Sequence, residues 1–99
     1  MADREEILRI LRAHKKELAH MGVRSLALFG SVARGEQRAG SDVDLLVDFI
    51  SSPGFRGYMR LKERLESLLG CRVDLVMRSE LLPEAQQVVE EEAVESFSL

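Results

Sequence analysis

Between Leu28 and Val47 the chain reads Leu28-Phe29-Gly30-Ser31-Val32-Ala33-Arg34-Gly35, a polar run, then Ser41-Asp42-Val43-Asp44-Leu45-Leu46-Val47. Ser25 to Phe29 reads as a short buried strand that ends in Gly-Ser at the start of a helical segment. Val43, Leu45, Val47 and Phe49 alternate with Asp42, Asp44, Leu46 and Asp48, the period of a strand that buries one face. Asp42 and Asp44 therefore share the other face. A glycine-serine turn combined with a strand Asp-x-Asp is how a small protein holds a triphosphate and its magnesium.

Helical spacing flanks this pair of strands. A helix is expected from Asp3 to about Met21: Asp3 with Glu6 resembles a capping box, Ile7, Leu8, Leu11, Leu18 and Met21 fall near one face, and Gly22 supplies a stop. Ser31 to Gly35 reads as a helical turn, followed by a polar loop to Ser41. Phe55 to Leu69 places Tyr58, Leu61, Leu65, Leu68 and Leu69 at helical spacing, with Gly70 as the C′ residue. Arg72 to Met77 is a third strand, with Val73, Leu75 and Met77 on one face and Asp74 and Val76 on the other. Leu81, Leu82 and Pro83 form a turn into a last helix reaching about Ser96, with Val88, Val89, Ala93 and Phe97 as its stripe. The order helix, strand, strand, helix, strand, helix predicts an α/β (α+β) class, a small mixed sheet with helices packed on one face.

Ninety-nine residues is the size of one domain, spanning 1–99. No apolar run approaches the ~20 residues of a membrane span. The charged start Met1-Ala2-Asp3-Arg4-Glu5-Glu6 lacks the apolar core of a secretory signal, so a cytoplasmic location is expected. The lone Cys71 has no partner for an internal disulfide, which agrees with a reducing compartment, and reads as a small buried residue at a strand start. His14 and His20 stand at no metal-ligand spacing and read as helix-surface residues. Charge is uneven: Met1 to Arg78 carries 14 basic and 11 acidic residues, whereas Ser79 to Leu99 carries six Glu and no Lys or Arg. The net charge of −3 argues against nucleic acid as the main partner. The positive excess of the first part suits a nucleoside triphosphate.

Asp42 and Asp44 on one strand face repel each other unless a cation neutralises them. Magnesium prefers a few carboxylates plus phosphate oxygens. Asp74 joins the same face if the third strand pairs beside the second. Three carboxylates could then hold two metals ~3.5–4 Å apart, the arrangement used for in-line phosphoryl displacement, with Asp74 the best-placed general base. Gly30 lets the backbone approach a phosphate closely. Ser31 opens a helical segment whose free amides favour an anion, and its hydroxyl adds a donor. Arg34 can reach phosphate or brace the loop against a carboxylate. Ser41 can position the loop before Asp42 or bind phosphate. Asp48, nearer the strand end, reads as a solvated residue.

These motifs resemble the DNA polymerase β-like nucleotidyltransferase superfamily. The run Gly30-Ser31-Val32-Ala33-Arg34-Gly35 with Ser41-Asp42-Val43-Asp44-Leu45 looks like the minimal nucleotidyltransferase (MNT) family in particular. The likeness runs from the first helix through the third strand, and all three carboxylates are present. The resemblance implies magnesium-dependent transfer of AMP from ATP with release of pyrophosphate. It also implies a helical HEPN-domain toxin as partner, modified on a tyrosine and silenced, with the nucleotidyltransferase as antitoxin. A chain of this length is expected to lack a dedicated acceptor lobe, so the acceptor site comes from a second chain, or the acceptor is itself that chain. The last helix, with Glu84, Glu90, Glu91, Glu92 and Glu95, is a candidate docking element for a basic partner. Two alternatives stay open: nucleotidylation of a small molecule in a pocket completed by a partner, and neutralisation of a toxin by occlusion alone.

Overall fold

The computed structural model describes residues 4–30, 42–84 and 87, together with the backbone of 95–98. The apolar spacing at the N-terminus produces two helices, α1 (Arg4–Ala13) and α2 (Lys15–His20), not the single helix expected from Asp3 to Met21. The break falls at His14, where ψ is 21°. Its ring Nδ1 lies 2.8 Å from the Ile10 carbonyl oxygen, while its own N–H turns to Leu11 at 3.2 Å. A side chain that takes the carbonyl one turn back competes with the helical ladder. Gly22 follows as the expected stop.

The strands are β1 (Val23–Phe29), β2 (Val43–Phe49), β3 (Val73–Met77) and β4 (Glu95–Ser98). Helix α3 (Gly54–Leu69) connects β2 to β3, and a short 3₁₀ turn (Arg78–Glu80) follows β3. The sheet order is β3-β2-β1-β4. β1 runs antiparallel to both β2 and β4, whereas β2 and β3 are parallel, as a helical crossover requires. The expected class, a small mixed sheet with helices on one face, is therefore present.

β4 corrects two expectations. The last helix does not reach Ser96, because Glu95–Ser98 is extended and pairs with β1. Among the described residues the sheet has four strands, one more than the three read from the sequence. Ala93 and Phe97 are spaced for a helix stripe, but the register sets Phe97 opposite the buried Leu26. Pairing along an available strand edge outweighs a weak local pattern.

The core lies between the helices and one sheet face. Leu26, Leu28, Val43, Leu45, Val47, Val73 and Leu75 meet Ile7, Leu8 and Leu11 of α1, Leu18 of α2, and Leu61, Leu65 and Leu69 of α3. The positions from β2, β3 and the helices follow the alternation or helical spacing read from the sequence, and Leu26 and Leu28 fall in the segment read as a buried strand. Cys71 is half-buried against this cluster, less enclosed than expected. Glu17 of α2 and Arg64 of α3 form a two-point ion pair, with Arg64 Nε on Oε2 and Nη2 3.1 Å from Oε1. Helix α3 ends at Gly70, whose φ of 67° is left-handed and whose N–H bonds the Glu66 carbonyl at 2.8 Å. No helix among the described residues is long and apolar enough to cross a membrane.

Candidate active site

The sheet face turned away from the core carries the carboxylates. Val43 and Leu45 point into the core, so Asp42 and Asp44 point away from it. Parallel pairing sets Asp44 directly across from Asp74, and antiparallel pairing sets Phe29 on its other side. Side chains at such paired positions lie on the same face, one strand spacing of about 4.8 Å apart. Asp42 stands just before β2, where Val43 N–H bonds the Arg72 carbonyl at 3.0 Å and ties the start of β2 to the approach to β3. Asp44 is half-buried, and Asp42 and Asp74 are exposed.

Gly30 completes this corner. Its φ of 78° is left-handed, and its backbone is packed on the Asp44 side chain. A Cβ built at Gly30 would lie 2.9 Å from Cγ and 3.1 Å from Cβ of Asp44 and would collide with Oδ2. The position thus demands glycine twice, for conformation and for space. Ser31, Arg34 and Ser41 lie outside the described residues. So do Glu90, Glu91 and Glu92 of the expected docking helix, while Glu84 is exposed.

The neighbouring titratable groups report the charge of this face. Burial pushes the Cys71 thiol up, and the negative charges of Asp42 and Glu66 push it further, so the thiol stays protonated. Burial likewise pushes the Tyr58 phenol up, and Asp74 and Glu80 add to the effect. Asp48, at the far end of β2, lies 3.8 Å from Arg24 and stands apart from the three other carboxylates.

Hard carboxylate oxygens beside a side-chain-free backbone fit a hard cation bound with phosphate oxygens. Among the described residues no group of three or more Asp, Glu, His or Cys side chains is drawn together closely enough to hold a metal ion alone.

Two further side chains near this site carry no site signal in the sequence. Tyr58 reads as a stripe position of α3, and Glu66 has no signal in the pattern. Both reach the backbone of β3 beside Asp74. Tyr58 donates to the Leu75 carbonyl at 2.6 Å, and Glu66 Oε2 accepts from Val73 N–H at 3.0 Å. A helix side chain that bonds a strand backbone leaves no periodic trace. Two adjoining cavities of about 460 and 360 Å³ lie at the other ends of β2 and β3, around Pro53, Met77 and Glu80.

The nucleotidyltransferase domain family matches residues 6–96. The protein adenylyltransferase MntA of Thermococcus cleftensis is 56% identical over 78 residues, which is 78% of this chain and 79% of that protein. A solved structure assigned as a minimal nucleotidyltransferase superposes with a TM-score of 0.83 at 40% identity, covering 95% of this chain and 96% of the other. The structure of a toxin-antitoxin with AMP-PNP matches with a TM-score of 0.66 at 26% identity, over 88% of this chain and 66% of that one. The glycine turn, the Asp-x-Asp strand and the parallel third strand thus sit in a known frame, and the chain belongs to the nucleotidyltransferase domain family as one of its minimal nucleotidyltransferases.

Proposed function

We propose that residues 1–99 act as one nucleotidyltransferase domain that transfers AMP from ATP to a tyrosine hydroxyl of a HEPN-type toxin, and that the chain is that toxin's antitoxin. The observation that carries this reading is the register of Asp44 against Asp74, with the Gly30 backbone closed over Asp44. The relative named as a protein adenylyltransferase supports a protein acceptor. The toxin-antitoxin structure with AMP-PNP supports an adenosine triphosphate donor and a toxin partner.

Asp42, Asp44 and Asp74 would hold magnesium. When bound, the ion neutralises triphosphate charge and lowers the pKa of the attacking hydroxyl. Asp74, exposed on the edge strand, takes the proton of the acceptor hydroxyl. The acceptor oxygen bonds the α-phosphorus, the bond to the bridging oxygen breaks, and pyrophosphate leaves. Gly30 admits the phosphate chain to the backbone, and Ser31, Arg34 and Ser41 are assigned to phosphate binding from their places in the motif.

Labelled ATP tests the reaction type. Incubation of the chain with its toxin, magnesium and ATP labelled at the α-phosphate is expected to label the toxin, whereas γ-labelled ATP is expected to leave it unlabelled. Transfer of the γ label would overturn nucleotidyl transfer in favour of phosphorylation.

A further inference from the structure

Asp74 sits on β3, an edge strand of the sheet. Among the described residues, one row of its backbone groups has no strand partner and must be met otherwise. Arg72 turns its carbonyl to β2, where Val43 N–H meets it at 3.0 Å. By alternation Val73 and Leu75 turn their backbone groups to the open side. Helix α3 meets two of these groups with side chains. Glu66 accepts from Val73 N–H at 3.0 Å, and the Tyr58 hydroxyl donates to the Leu75 carbonyl at 2.6 Å. The two bonds bracket Asp74, one on the residue before it and one on the residue after.

We infer that Tyr58 and Glu66 are positioning residues that fix the segment of β3 carrying Asp74 and so hold its carboxylate opposite Asp44. The inference rests on the reading of Asp74 as a member of the magnesium-binding set. Glu66 acts from two ends: its carbonyl closes the helix on Gly70, and its carboxylate grips the first residue of β3. Helix end, turn and strand start are thereby one unit. The Tyr58 ring packs half-buried against the core and lines the 460 Å³ cavity, so the ring has a packing role separable from that of the hydroxyl. Its phenol stays protonated, as a donor must, because burial and the charge of Asp74 both push its pKa up.

The test uses the full 99-residue chain with AMP-PNP, and Mn²⁺ as a spectroscopic substitute for magnesium. Mn²⁺ affinity is read by electron paramagnetic resonance, and thermal unfolding is read in parallel. Loss of a residue that supports a metal ligand typically weakens metal binding by about 10–100-fold. Because Tyr58 and Glu66 act on backbone beside the ligand, Tyr58→Phe and Glu66→Leu are each expected to weaken Mn²⁺ binding by about three- to tenfold. Glu66→Gln keeps an acceptor for Val73 N–H and is expected to stay within about twofold of the parent. Asp74→Asn, the reference, is expected to weaken binding more than either. Parent-like binding by Tyr58→Phe and Glu66→Leu, with Asp74→Asn impaired, overturns the positioning role and leaves the reading of Asp74 standing. Parent-like binding by Asp74→Asn overturns that reading and the inference with it. Weakening that tracks lost thermal stability, with no rescue by Glu66→Gln, also overturns the inference.

Discussion

Gly30 and Asp44 compete for one space: no side chain larger than hydrogen fits between that backbone and that carboxylate. The glycine is what allows a strand end to lie against the carboxylate that the proposed function turns toward phosphate. Gly30→Ala is therefore expected to push Asp44 aside and to strain a left-handed φ at a cost of about 1–2 kcal/mol. AMP transfer should fall by at least about 100-fold, with a modest drop in melting temperature. Parallel kinetic and thermal measurements separate the two effects. Retained transfer would show that the close approach serves packing alone.

Asp44 and Asp74 are like charges on neighbouring strands, held there by the register. Such a pair costs stability in the metal-free protein. Asp44→Asn should leave the melting temperature unchanged or raise it slightly in the presence of EDTA. The same substitution should abolish AMP transfer. A large thermal loss would assign Asp44 a structural role instead.

The Glu17–Arg64 pair gives the fold an acid-sensitive contact. The Arg64 hydrogen bond holds the Glu17 carboxyl below its ordinary value of 4.5, with the Arg64 charge adding to it. The folded chain thus binds that proton less readily than the unfolded chain. The pair stabilises above the ordinary value and loses its effect as pH falls through the lowered one. Both side chains are more than a third exposed, at 38% and 40%, so solvent screens the contribution and keeps it small. The melting temperature of Glu17→Gln should sit slightly below the parent at neutral pH, and the gap should close as pH falls below the ordinary carboxylate value. A gap that stays constant over this range would exclude the ion pair as its cause.

Leu45 follows Asp44 on β2 and is fully buried in the core beneath the site. Leu45→Ala is expected to cost about 2–5 kcal/mol by lost burial and a residual cavity. Chemical denaturation measures it, and a loss below about 1 kcal/mol would show that the helices collapse onto the gap.

Much of the site was legible because strand alternation has a fixed period. Once Val43, Leu45 and Val47 are buried, Asp42 and Asp44 must share the opposite face, and Val73 and Leu75 place Asp74 likewise. The parallel pairing that sets Asp44 beside Asp74 was only conditional in the sequence, since nothing local names a strand's neighbour. The break at His14 has no sequence signal, because a ring bonding one turn back leaves apolar spacing intact. β4 has little, because four residues carry too short a pattern against the helical spacing of Ala93 and Phe97. The bonds of Tyr58 and Glu66 have none, because their partners are backbone atoms of a strand distant in sequence.

Intact-mass spectrometry of the toxin partner, after incubation with this chain, ATP and magnesium, decides between AMP transfer and occlusion. The parent chain should add mass in steps of one AMP, and the Asp42→Asn/Asp44→Asn chain should add none while still binding the partner. An unmodified toxin that is nevertheless neutralised by both proteins would contradict AMP transfer and leave occlusion as the mode of action.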